Sequence, residues 1–257
     1  MVPQASAAVR LAFVVLAVAV AGLFAAGVPL ASRRLGEPLE VQRRLLLLSV
    51  AGTAAWMLAT GVLAASGVLA DFERRPPPLL AVFVSALTLP LVIGFSPLGA
   101  RLARGLPIAA LVGAQAFRIP LEIAMHQAAR ENVMPTRMSF AGTNFDIVTG
   151  AGAIVVAALT AHGPLHSPAV RNPTAHSPAL HSPALRAVIA TWNVVGSALL
   201  ANVLVTGVLA SPMIHAFGTD PRDLNTFVAY FPFVWLPTVL VAAAALGHIA
   251  VGRALRT

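Results

Sequence analysis

The sequence predicts an all-α integral membrane protein, a bundle of about seven transmembrane helices with its amino terminus outside and its carboxyl terminus cytoplasmic. Three observations lead there. Hydrophobic residues make up 58% of the chain, only 10% is charged, and the mean hydropathy is +0.84. Soluble domains average about 45–50% apolar and roughly 25% charged, so a water-soluble fold of this length could not hide so much apolar surface. The apolar residues also gather into long runs, and the arginines sit in the short connections between them, unequally on the two sides.

A span needs roughly 20 residues to cross some 30 Å of hydrocarbon. The first candidate is residues 11–31, bounded by Arg10 and Arg33. It exceeds the roughly 7–15-residue apolar region of a signal peptide. Cleavage would also strand Arg33, Arg34, Arg43 and Arg44 on the far side, so it reads as a retained span. The second covers about 45–70 and the third about 79–98. The fourth, about 106–128, is interrupted by Arg118 and Glu122. The fifth is about 145–161, the sixth about 187–210 and the seventh about 231–251.

One set of connections carries Arg10, Arg74, Arg75, Arg130, Arg137 and Arg222. The other carries Arg33, Arg34, Arg43, Arg44, Arg101, Arg104, Arg171, Arg186, Arg253 and Arg256, and this richer side is expected to be cytoplasmic. Residues 162–186 differ in kind. They repeat His-Ser-Pro-Ala at His166, His176 and His181, and read as a flexible, low-complexity loop. Their spacing lacks the rigid geometry of a closed metal site, so no metal is expected there.

Absent residues exclude several functions. All 17 basic residues are arginine, and the chain has no lysine and no cysteine. That removes a retinal Schiff base, a P-loop, disulfides, thiolate nucleophiles and iron–sulfur clusters. The arginines form no basic stripe with interleaved aromatics, so nucleic acid is not an expected partner. His126 and His248 fall toward opposite ends of their spans, which argues against paired haem ligation. No cofactor is expected, and the lipid bilayer is the expected partner.

The fourth span holds the candidate chemistry. Gln115, Arg118, Glu122 and His126 fall within about 80° of one helical face. A charge at mid-span costs roughly 2.5–3.5 kcal/mol on insertion scales, so these side chains must face the bundle and find partners. Arg118 and Glu122, four apart, are expected to pair with each other. Pro120 between them removes an N–H and loosens the helix. After this span, Thr143-x-x-Asp146 reads as a capping box for the fifth, with Asn144 as an alternative cap. Asn144 and Asp146 are also placed at the outer mouth of the bundle, within reach of Arg118, Glu122 or His126. Asn193 and Asn202 in the sixth span are expected to bridge helices. Tyr230, Phe231 and Trp235 are expected to form an interfacial aromatic belt.

Phe117-Arg118-x-x-x-Glu122, followed by Pro135-x-x-Met138-Ser139-Phe140-x-Gly142-x-Asn144-Phe145-Asp146, resembles the signature of a family of uncharacterised bacterial multi-pass membrane proteins. Trp192-Asn193, Gly196, Asn202 and Phe231-Pro232-Phe233-Val234-Trp235-Leu236-Pro237 match as well. Ala141 and Thr143 stand where the family carries acidic and basic residues beside the glycine. The resemblance implies a class and a position for the site, and no mechanism.

The resulting expectation is a bacterial plasma (inner) membrane protein that binds or translocates a small polar or anionic solute. Arg118 would contact the anion, Glu122 would poise it or exchange a proton, and His126, Asn144 and Asp146 would complete the outward-facing pocket. Two other classes are compatible: an intramembrane enzyme acting on a lipid headgroup, with Glu122, His126 or Asp146 as acid or base, and a non-catalytic scaffold subunit.

Overall fold

A computed structural model describes residues 4–161 and 182–256. Among these the chain is helical, with no strand. Helix α1 (Ala7–Arg34) is capped by Ser6, whose hydroxyl accepts from the Val9 N–H. It leads through Gly36, at φ 71, into α2 (Leu39–Ala65). That backbone angle suits a residue without Cβ and lets two long helices turn back on each other. Helix α3 (Pro78–Phe95) stops where Ser96 turns to cap α4 (Pro97–Gly105), a short surface helix with Arg101 and Arg104 on one face. The expected third span thus ends at Phe95, because Ser96 and Pro97 start a new helix.

The fourth span is built in pieces: α5 (Ile108–Gly113), a 3₁₀ turn (Ala114–Phe117) and α6 (Arg118–Arg130). Pro120 falls in the first turn of α6, where a missing N–H costs little, and the tightened turn precedes it. Then follow α7 (Ile147–Ala161) and α8 (Pro183–Leu209). The last span begins as a π segment (Leu236–Val241) and continues as α9 (Ala242–Ala254). Among the described residues six helical segments are long and apolar enough to cross a membrane, and the chain is a multi-pass helical membrane protein. The fifth expected span is the 15-residue α7, shorter than those six. Residues 162–181 of the His-Ser-Pro segment lie outside the described residues, as does the question of metal there. Ser182 to Arg186, expected in that loop, instead cap and open α8, because Pro183 suits a first helical turn.

Helix α1 buries one face, through Phe13, Ala17, Val28 and Ala31, and exposes the other at Leu11, Val15, Val18 and Leu23. It packs on α2, α4, α6 and the π segment, and Phe13 meets Phe233 edge-on at 5.0 Å. Helix α9 lies between α3, α4, α5 and α8. Helix α2 is peripheral and buries only Ser49, Thr60, Gly61 and Ala64. Two indoles lace it to the last span: Trp56 Nε1 donates to the Thr238 carbonyl at 2.9 Å, and Trp235 Nε1 donates to the Met57 carbonyl at 3.1 Å. Trp235, expected in an interfacial belt, is therefore a helix tie.

Contacts between connections fall into two groups. At one end Ser6 bonds Glu131, and Arg137 lies 3.9 Å from Asp223. At the other Arg101 clasps Glu37 through Nε and Nη2, and Arg186 bonds the Leu255 carbonyl. The Arg101 guanidinium holds the Glu37 carboxyl below its ordinary range.

Candidate functional site

The connection after α6 decides the site, because it folds into the bundle instead of crossing its surface. Asn132, at φ 57, ends α6, and the Val133 N–H closes the turn on the Ala128 carbonyl. Val133, Met134, Met138 and Ser139 are then all buried. Ser139 donates to the Thr136 carbonyl and accepts from the Ala141 N–H, while the Thr143 hydroxyl and N–H both donate to the Arg137 carbonyl. Gly142 sits where a Cβ would lie 2.7 Å from the Thr136 carbonyl oxygen and against the Arg137 backbone. Only glycine allows this corner to close. Non-helical backbone at such depth is tolerated when protein surrounds it.

The corner delivers Asn144 and Asp146 to α6. Asn144 Nδ2 donates to Glu122 Oε1 at 2.8 Å and to the Met138 carbonyl at 2.9 Å, and its Oδ1 accepts from the Asp146 N–H at 3.0 Å. Every hydrogen-bonding group of that amide is used, so its orientation is fixed. Asp146 in turn accepts from Arg118 Nη1. Arg118 Nε donates to Gln115 Oε1 at 3.2 Å. The expected Arg118–Glu122 pair is therefore replaced by two crossed partnerships, Arg118 with Asp146 and Glu122 with Asn144. The physical reason is the corner: it brings both partners within direct hydrogen-bond reach of α6. The capping box is likewise redistributed, with Thr143 turned to Arg137 and Asn144 taking the Asp146 N–H.

Arg118 is 1% exposed, Glu122 and Asn144 are 2%, and Asp146 is 5%. Asn144 and Asp146 are thus interior members of a closed network, and the expected position at an open mouth is corrected. His126 stands apart from that network: it is half-buried and stacks on Phe140 at 4.4 Å, with Nδ1 lacking a hydrogen-bond partner.

The structure adds residues from other helices. A Cβ at Gly247 of α9 would overlap the Gln115 amide, so Gln115 lies directly on that backbone. One residue on, His248 Nδ1 meets Asn193 Oδ1 of α8 at 2.8 Å, and Trp192 Nε1 donates to the Thr149 carbonyl at 3.1 Å. At Gly196 a Cβ would be 2.6 Å from both the His248 ring and Thr149 Cγ2, so the imidazole and the threonine methyl both press on this backbone. Asn193 bridges α8 and α9 as expected, whereas Asn202 ties α8 to the corner, its Nδ2 donating to the Thr143 carbonyl at 2.8 Å. Thr149 and His248 had no sequence signal beyond being polar in apolar runs. Four buried atoms in this region lack a hydrogen-bond partner: Arg118 Nη2, Glu122 Oε2, Thr149 Oγ1 and His248 Nε2.

Comparison with protein-family models, curated proteins and solved structures finds no match.

Proposed function

We propose that this chain is a bacterial inner-membrane protein that binds, and by opening translocates, a small polar or anionic solute at the Arg118–Glu122 region. The observation that carries the reading is the set of buried groups left with unused capacity. Arg118 Nη2 offers a donor and Glu122 Oε2 an acceptor, both on side chains that the network already holds in place through Asp146 and Asn144. Leaving such groups unpaired costs about 1–3 kcal/mol each, and a ligand that supplied both bonds would recover it. An incoming anion would share Arg118 with Asp146, and Glu122 would take or release the accompanying proton. His126 lies one helical turn beyond Glu122, toward the Arg130 end of α6, on the proposed entry route.

The closed burial of the network means that solute enters only if α6, α7 or the corner between them moves. Helix interruptions at the Ala114–Phe117 turn and in the Leu236–Val241 π segment flank the region, and broken helices of this kind build substrate sites in many transporters. Seven crossings follow if α7 completes a pass. Its 15 residues rise only about 22 Å, but it starts beside Arg118, inside the bundle, so less hydrocarbon remains to be crossed. The arginine bias then puts the amino terminus outside and the carboxyl terminus in the cytoplasm. The bacterial multi-pass family of the sequence signature is the one to which we assign the chain.

The test is thermal melting of the purified protein against a panel of small carboxylates, inorganic phosphate and neutral polyols, with uptake of the same solutes into proteoliposomes. At least one anion is expected to raise the wild-type melting temperature, and to leave Glu122→Gln unmoved. If none stabilises the wild type and the proteoliposomes stay tight to all of them, the solute reading fails. For sidedness, a reporter active only in the cytoplasm is expected to work when fused after Thr257 and to be silent after Arg137.

A further inference from the structure

On the other side of the bundle from the α7–α8 contact, α2 stands away from α3 and leaves a groove between them. The cavity measures about 470 Å³ and is walled by α1, α2, α3 and the last span, with Phe24, Leu48, Gly52, Pro90 and Leu246 among its lining residues. At one end Trp56 closes it, held by its bond to the Thr238 carbonyl. At the other end lies Arg101.

Three features together select an occupant. The first is length. From Leu45 to Trp56 the α2 wall rises roughly 16 Å at 1.5 Å per residue. That is about half of the ~30 Å hydrocarbon layer, one leaflet's depth. A transmembrane helix of a partner would need the full layer, and Trp56 blocks it. The second is polarity: the lining is apolar along its length and charged only at the Arg101 end. The third is the sign of that rim. Arg33, Arg34, Arg43, Arg44 and Arg104 are exposed at the end of α1, the start of α2, and in α4, against two acids, Glu37 and Glu40. Glu37 is already clasped by Arg101, and among the described residues none of those five arginines has an ion pair.

We propose that this groove is a binding site for one anionic phospholipid of the leaflet on the Arg101 side. An acyl chain would fill the slot as far as Trp56, and the phosphate would be held at the arginine rim. Basic side chains at a membrane surface attract anionic headgroups, and the attraction adds up over the side chains near the phosphate. The site is independent of the Arg118 network and stands or falls separately from it.

The test is native mass spectrometry of the purified full chain in detergent, incubated with dioleoyl phosphatidylglycerol or dioleoyl phosphatidylcholine. One phosphatidylglycerol per chain is expected to be retained, about tenfold more tightly than phosphatidylcholine. A Cβ at Gly52 would meet nothing within 4 Å, so Gly52→Leu fills the groove without disturbing its walls. That variant is expected to keep the wild-type melting temperature and to weaken retention about tenfold. The paired change Arg43→Gln with Arg44→Gln, on exposed surface, is expected to abolish the headgroup preference while leaving weak binding of both lipids. Should leucine at position 52 lower the melting temperature, the arginine variant decides alone. Equal retention of the two lipids by the wild type overturns the proposal, as does retention unaffected by a well-folded Gly52→Leu. A two-chain mass in place of a lipid adduct, dispersed by Gly52→Leu, would assign the groove to a second copy and overturn it too.

Discussion

Replacing Asp146 with leucine takes away the carboxylate that Arg118 holds. The guanidinium keeps only the Gln115 oxygen at 3.2 Å, and its Nη2 already lacks a partner. At 1% exposure it cannot turn to water or to lipid headgroups. Removing one member of a buried ion pair costs about 3–5 kcal/mol, because the surviving charge stays buried without compensation. Arg118→Leu is expected to fall in the same range by stranding the Asp146 carboxylate. Leucine at both positions removes both charges. That double variant is expected to recover most of the loss, leaving roughly 1–2 kcal/mol for the orphaned Gln115 amide. Glu122→Gln lies at the mild end. Its Oε1 accepts from Asn144 at 2.8 Å, a bond an amide oxygen also makes, so the loss is expected below about 1 kcal/mol. Reversible unfolding in mixed micelles, followed by circular dichroism across the four variants, measures the ranking. If Asp146→Leu proves as mild as Glu122→Gln, the Arg118–Asp146 pairing is wrong. A double variant that is stable and still stabilised by solute would reduce the pair to a helix lock and end its role in the proposed site.

Gly142→Ala is expected to destabilise by about 1–3 kcal/mol, since the new Cβ meets rigid backbone, whereas Gly22→Ala, with open space around it, should not destabilise. Comparing melting temperatures, with trypsin sensitivity at Arg137 as the local readout, checks this. Trp56→Phe keeps the ring and loses the bond to the Thr238 carbonyl, so α2 should loosen by about 1 kcal/mol, seen as faster hydrogen exchange in that helix. For Glu37, whose carboxyl is held below the ordinary value of 4.5 by Arg101, the sign follows from the depressed folded-state pKa. Its contribution is complete above pH 4.5 and is lost as pH falls through the lower folded value. The melting temperature of the wild type should therefore drop more steeply on acidification than that of Arg101→Gln.

The membrane class, the presence of several long apolar helices and the burial of Arg118 and Glu122 could all be read from the sequence. Each rests on short-range physics: charge-free length against bilayer thickness, and the 3.6-residue period of a helix. The same period pointed to an Arg118–Glu122 pair, because along one helix a residue four positions away is the only visible neighbour. What joined Arg118 to Asp146 and Glu122 to Asn144 was the inward fold of the corner closed by Gly142, a feature no periodicity encodes. The Asn193–His248 contact was out of reach for a similar reason, since the two residues lie 55 positions apart and meet only because α8 and α9 pack closely at Gly196. The groove behind α2 depends on how far α2 stands from α3, and helix spacing is set by side chains on all the neighbouring helices at once. Local sequence determined which residues must be buried; the packing of distant segments decided which partners they found there.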